Sequence, residues 1–235
     1  MGREKALAGV INWCEPDFVL LQEATRPEVV KTLAGACGMK ASGASFGDSV
    51  AFLSRTDVAR HEWHRPAMAR RRYLDVVLAD GRTRMIGVHL SAIHSNVTER
   101  RRTVEVAGLL RGTASFREQF HVMAGDFNTV AAEDPFDWRR LPLRLRALLW
   151  VSGGPIRWTA HAAILASGYA DGYRKLHTDA GHTFPTWAPH VRLDYIFVPS
   201  RAASAVKRCE VVRDAPGVRE ASDHFPLLAD IAIPS

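Results

Sequence analysis

Two residues apart at the end of a short apolar run, Asp126 and Asn128 in HVMAGDFNTV pair a carboxylate with an amide. If residues 120–124 form a buried strand, both side chains leave the same side of its end, because strand side chains repeat every second residue. A carboxylate and an amide placed together suit a hard cation or a phosphate. Gly, Asp and Asn are equally the residues that turns prefer, so this stretch alone leaves both readings open. Polar groups recur where other strands end. Glu23 follows FVLLQ, His89 closes MIGVHL, Asp194 opens LDYIFV, and Asp223 with His224 precedes PLLADI. Singly each is weak, since a lone His in a strand is usually a satisfied core residue and Ser-Asp before a strand is commonly a turn. Jointly they supply carboxylates for a metal, imidazoles for proton transfer and an amide to hold phosphate, which is what a phosphodiester hydrolase needs.

The elements that must position these groups are legible from periodicity. Leu7, Val10, Ile11 and Cys14 fall at i, i+3, i+4 and i+7, an opening amphipathic helix that Pro16 stops. A buried strand is expected over residues 18–21. Thr25 with Glu28 reads as a capping box, Pro27 sits near the first helical position, and the helix should run to about Cys37 before Gly38. From Val50 the pattern turns to strands: VAFLS, then YLDVVLA and TRMIGVHL flanking Asp80-Gly81, the strongest hairpin signal in the chain. Asn96 with Glu99 is expected to cap a further helix carrying Val104, Ala107 and Leu110 on one face. FHVMA, a long irregular segment to about Pro189, and the strands LDYIFV, AVKRCEVV and PLLADIAI complete the chain. The class is α+β, with sheets packed face to face and helices outside. Without repeats, low-complexity tracts or linkers, residues 1–235 read as a single domain.

Composition narrows the function classes. The chain of 235 residues is 47% hydrophobic and 24% charged, and no apolar run approaches the roughly 20 residues of a spanning helix. The start, MGREKALAGVINWCEP, lacks the apolar centre of an export signal, so a cytoplasmic location is expected over a secreted one. Three widely spaced cysteines suggest buried free thiols and neither a disulfide framework nor a zinc site. A net charge of +6, mostly from arginine clusters, favours polyanionic partners, nucleic acid or anionic lipid, and no obligate protein partner is evident. WRRLPLRLRALLW (Trp138 to Trp150) interleaves Arg with Leu and Trp. It could lie on a membrane or grip a phosphate backbone, but a surface helix burying its leucines is expected. Trp158 and Trp187 fall in loop-like sequence, where aromatics usually pack and sometimes stack on a base.

The ordered set LLQEA, VHLS before an Arg-rich helix, GDFN, RLDYIFV and SDHFPL resembles the endonuclease/exonuclease/phosphatase superfamily. Its members include deoxyribonuclease I-like nucleases, abasic-site endonucleases, sphingomyelinases and inositol phosphatases. The resemblance covers residues from Leu7 to the C-terminus. It implies a four-layered α/β sandwich, two mixed β-sheets face to face with helices outside. It further implies that Glu23 is a ligand of Mg²⁺, for which Mn²⁺ can substitute, and that Asp223 serves the same metal site directly or through water. Asp126 would position or deprotonate the attacking water, and Asn128 would contact the scissile phosphate. His224 would stand at the phosphate, oriented by Asp194, with His89 a proton donor to the leaving oxygen and Asp48 a group that orients His89. Where the family opens with a strand ending in Asn, this sequence opens at the helix that follows, so an unpaired edge or slot is expected beside residues 18–21. The expected activity is Mg²⁺-dependent hydrolysis of DNA as an endonuclease or exonuclease. A phospholipid or sugar-phosphate substrate is the alternative within the same chemistry. A non-catalytic nucleic-acid-binding relic is the alternative from another class, and the clustered polar groups argue against it, since a relic has no physical reason to keep them uncompensated.

Overall fold

The opening helix forms as its apolar spacing requires: α1 (Gly2–Cys14) ends ahead of Pro16 and buries Val10 and Ile11. In the computed structural model, which describes residues 2–67, 69–134 and 136–233, β1 (Phe18–Gln22) and α2 (Pro27–Ala36) follow. Pro27 enters the first turn, yet the Thr25–Glu28 capping box does not form. Arg26 is the N-cap, and the Thr25 amide is turned back onto the Glu23 carbonyl. β2 (Ala41–Gly43), the buried β3 (Val50–Ser54) and the largely exposed β4 (Val58–His64) come next. The Asp80-Gly81 signal holds: it joins β5 (Tyr73–Leu78) to β6 (Arg84–His89), with Gly81 at φ 69° and the Asp80 carboxylate accepting from the Arg82 and Thr83 amides.

The helix α3 (Asn96–Gly112) departs from its predicted cap and face. Ser95, not Asn96, is the N-cap, in a capping box with Thr98. The buried face carries Glu99, Arg102, Glu105, Val106 and Leu109, while Val104 is exposed. Apolar periodicity misplaced this face because its charged members are satisfied internally. Glu99 accepts from Arg102 Nε at 2.9 Å and from the Thr159 and Ala160 amides, and Glu105 accepts from Ser91.

After β7 (His121–Asp126), the stretch read as irregular contains α4 (Leu143–Val151), α5 (Ala160–Ala166), β8 (Tyr169–Asp171) and α6 (Gly172–Leu176). α4 lies in the stretch Trp138 to Trp150 where a helix is expected, and the other three are too short for periodicity to announce. β9 (Asp194–Pro199), β10 (Val206–Val211), α7 (Val218–Ala221) and β11 (Leu227–Ile231) complete the fold.

The large sheet has the order β4-β5-β6-β7-β9-β8, with β6 and β7 parallel and the other neighbours antiparallel. Val106, Leu109 and Ile164 of α3 and α5 pack on its outer face against Ile86, Met123 and Phe197. On the inner face, Val50 and Phe52 of β3 meet Leu74 and Val76, while Val206 and Cys209 of β10 meet Val122 and Val198. α1 and α2 cover the second layer from outside through Ile11, Val30 and Leu33. This is the four-layered α/β sandwich. Its second sheet comes in two pieces, β1-β3-β2 and β10-β11. Among the described residues β1 pairs with β3 alone and β11 with β10 alone, so the expected unpaired edge is present, and β1 stays half-buried along its length. All three cysteines are free thiols, Cys37 and Cys209 buried and Cys14 partly so.

A buried ion cluster pins the segment after β7 to the sheet. The Arg192 guanidinium donates to Asp134 at 3.0 Å and to Asp171 at 2.6 Å, and lies 4.5 Å from the Tyr195 ring centroid.

Candidate active site

Because β6 and β7 run parallel and β9 runs back against them, the end of two strands and the start of a third coincide. The register puts His89 opposite Asp126, and Asp126 opposite Asp194, in one row. His224, just before β11, closes the group from the second layer, its Nδ1 bonded to Asp194 Oδ2 at 2.8 Å. His89 Nε2 stands 3.7 Å from Asp126 Oδ2. Four of the seven residues expected at the site are thus brought together by sheet pairing and one hydrogen bond.

The Asp126–Asn128 stretch is a turn that also carries Asp126 into this cluster. Asn128 adopts φ 51°, and its backbone N–H donates to Asp126 Oδ1 at 2.8 Å. Its amide nitrogen donates to Asp126 Oδ2 at 2.8 Å and to the Leu90 carbonyl at 3.2 Å. Both amide hydrogens are engaged, leaving Asn128 no free donor for a phosphate. In this arrangement Asn128 aims the Asp126 carboxylate.

The charges follow from this crowding. Burial, then the facing charge of Asp194, push the Asp126 carboxyl up to about 7, against the opposing pull of His224 and the Asn128 amide. For His224, burial disfavours the imidazolium, but the charge and hydrogen bond of Asp194, with Asp126 and Asp223 behind them, outweigh it and lift the ring to about 9. His89 goes the other way: burial, then the positive charges of Arg71 and His224, push it down to about 4. At neutral pH the mobile proton therefore sits on His224 and not on His89.

Arg71 escaped the sequence reading. It comes in from the loop before β5 and places Nη1 2.7 Å from His89 Nδ1. The only signal was the run Arg70 to Arg72, which reads equally well as a solvated face. Asp48 does not orient His89. Its carboxylate pairs with Arg72 at 3.3 Å, and the His89 ring bonds to Arg71 instead. The Ser49 carbonyl receives the Glu23 amide at 2.7 Å, which ties Glu23 to the same end of the fold.

Glu23 is exposed and held at φ 59°, a conformation costly for a side chain with a Cβ. Asp223 is not joined to it: its carboxylate pairs with Arg3 at 3.1 Å, and its carbonyl accepts the Thr186 amide. Among the described residues no three His, Cys, Asp or Glu side chains converge as a ready-made metal cage. The donor chemistry nevertheless fits a hard divalent cation. Two carboxylates face each other across β7 and β9, one of them driven toward protonation, and Glu23 presents a third at the same end.

Beyond His89 the chain buries His94 against Phe136 and Trp158, with Nε2 unpartnered. Burial, then Arg102 and His190, lower its pKa from 6.5 to about 4. Between those values the unfolded chain binds the extra proton, so unfolding free energy rises with pH. Acidification through this window is expected to cost up to about 3 kcal/mol through His94. Denaturant melts of wild type and His94→Phe near both ends of the window check this, since the variant should show a shallower pH slope. Parallel slopes would count against it.

The sequence profile described as the endonuclease/exonuclease/phosphatase family matches residues 2–224. No curated protein matches the chain in a sequence comparison. Among solved structures, an AP endonuclease from Archaeoglobus fulgidus superposes with a TM-score of 0.74 at 18% identity, covering 98% of this chain and 94% of that one. A 3′ phosphatase from Neisseria bound to a product DNA hairpin gives 0.68 at 18% identity, with 92% and 89% covered. A humanized TDP2 from D. rerio gives 0.65 at 19% identity, with 97% and 90% covered. At these identities the structural likeness is one of fold.

Proposed function

Because the chain belongs to the endonuclease/exonuclease/phosphatase family, whose members hydrolyse phosphoester bonds, we propose that it cleaves DNA phosphodiester bonds in a reaction dependent on Mg²⁺, with Mn²⁺ able to replace it. The observation that carries the reading is the row His89–Asp126–Asp194 with His224 bonded across it. Glu23 would hold the ion, and Asp223 is a second candidate ligand once freed from Arg3. Bound there, the ion supplies positive charge for the phosphoryl oxygens. Asp126, aimed by Asn128 and driven toward neutral pKa, accepts the proton of the attacking water. His224, kept charged by Asp194, gives its proton to the leaving oxygen, and Arg71 adds positive charge beside the neutral His89. In-line attack builds negative charge on these oxygens, so each group binds the transition state better than the ground state. No covalent intermediate is required.

DNA is favoured over other phosphodiesters by the net charge of +6 and by Trp187, which is 70% exposed and packs on Phe184, itself 4.7 Å from the His224 ring. An exposed indole at the mouth of the site suits stacking on a base. Plasmid and short single-stranded DNA should be hydrolysed with Mg²⁺ and left intact in EDTA. Trp187→Ala should raise KM roughly tenfold with kcat little changed, the loss of one base–aromatic stack. Turnover that persists in chelator removes the metal from the mechanism. Faster hydrolysis of sphingomyelin or an inositol phosphate than of DNA replaces the substrate.

A further inference from the structure

The expectation that WRRLPLRLRALLW buries its leucines is met in part: Leu141 and Leu149 are buried and Leu145 is half-buried, while Leu143 and Leu148 are exposed. In α4 only Leu149 is buried. Leu143 is 77% exposed, Trp150 81% and Val151 75%, and Ala147 is exposed between them. At positions i, i+4, i+7 and i+8 these four residues form one apolar stripe facing solvent. Singly, exposed apolar residues are ordinary, but a contiguous helical face of them is not.

The charges within this segment are all basic. From Trp138 to His161 there is no Asp or Glu, while Arg139, Arg140, Arg144, Arg146 and Arg157 all lie in that span. Arg139 and Arg146 lie over the Trp138 ring, each 5.3 Å from its centroid. Among the described residues only Arg140 of the five forms an ion pair, with Asp137 at 3.8 Å. The stripe is firmly mounted. Asn96 donates to the Gly154 carbonyl at 3.1 Å and accepts from the Arg157 amide, and the Thr159 amide is tied to Glu99. α4 is thereby fixed to the start of α3, close after the strand end that bears His89.

We propose that this face of α4 docks the protein on an anionic membrane surface, with Leu143, Ala147, Trp150 and Val151 entering the headgroup boundary and the arginines pairing with lipid phosphates. An anionic bilayer offers both chemistries at once, apolar material beneath a layer of negative charge. A nucleic-acid backbone would satisfy the arginines but give the aliphatic stripe nothing to enter. No described helix is long and apolar enough to cross a membrane, so α4 lies on the surface. The inference does not depend on which phosphodiester is cleaved.

The test is sedimentation of the whole protein with phosphatidylcholine vesicles, with or without about 30% phosphatidylserine, alongside Leu143→Ser/Trp150→Ser/Val151→Ser and Arg139→Gln/Arg144→Gln. Wild type should bind the anionic vesicles and leave the neutral ones. The apolar triple variant should bind at least tenfold more weakly. The arginine variant should lose the preference for phosphatidylserine. Since all these positions lie outside the site, unchanged melting and unchanged hydrolysis of a soluble phosphodiester certify the variants. Equal binding to both vesicle types, or binding that survives the triple substitution, overturns the proposal. So does a triple variant that loses DNA binding, or a dimer, in a protein whose wild type ignores the vesicles.

Discussion

Replacing His224 with Ala, or Asp126 with Asn, is expected to lower kcat on DNA by on the order of a hundredfold or more at saturating metal, with melting temperature little changed. His224→Ala removes the one imidazole at the site held charged at neutral pH, its pKa lifted to about 9 chiefly by the charge and hydrogen bond of Asp194. Asp126→Asn keeps the shape and one of the two oxygens that accept from Asn128, but puts at that position an amide that cannot accept the water's proton. Relief of the repulsion with Asp194 in the facing position offsets the altered Asn128 contact, so the variant should melt close to wild type. A loss of rate without a loss of stability separates a chemical role from a structural one. Asp194→Asn should fall in the same direction as His224→Ala and add little to it in the double variant, because both act through one hydrogen-bonded unit. Rates within a few-fold of wild type in either single variant would place the chemistry elsewhere.

The second large effect concerns stability. Arg192 is fully buried, and its guanidinium is the positive partner of both Asp134 and Asp171, two carboxylates that are themselves buried. Arg192→Met keeps much of the volume but leaves two acids without their compensating charge. Breaking a buried pair by removing one partner costs roughly 3–5 kcal/mol. In a domain of this size that corresponds to a melting temperature lower by roughly 10 °C. Arg174 also pairs with Asp134, and His161 stands 3.5 Å from Asp171, so the effect should lie at the lower end of that range. Calorimetry of wild type and Arg192→Met at neutral pH reads the difference directly. A melting temperature within about 2 °C of wild type would mean that the two acids find other partners or protonate at little cost.

Local chemistry written into neighbouring residues was readable in advance. The spacing of Leu7, Val10, Ile11 and Cys14 gave α1, Asp80-Gly81 gave the β5–β6 hairpin, and acids and histidines at strand ends gave the members of the site. Each signal resides within a few residues, where backbone geometry and side-chain period decide the outcome. What a distant partner decides was not readable. The sequence could propose His89, Asp126 and Asp194 but not their row, which exists only because β6 and β7 pair in parallel and β9 in reverse. Periodicity chose Val104, Ala107 and Leu110 as the inner face of α3, because nothing in sequence showed that Glu99 would meet the Thr159 and Ala160 amides. Arg71 and Arg192 look alike in sequence, as two residues of a basic chain. One reaches His89 from a loop, and the other is sealed between two acids. α4 carries leucines that periodicity assigned to a core, yet their burial depended on whether another element lay against that face. Pattern within a segment sets which groups are available, but their burial, charge and partners are properties of the space between segments, and only packing fills it.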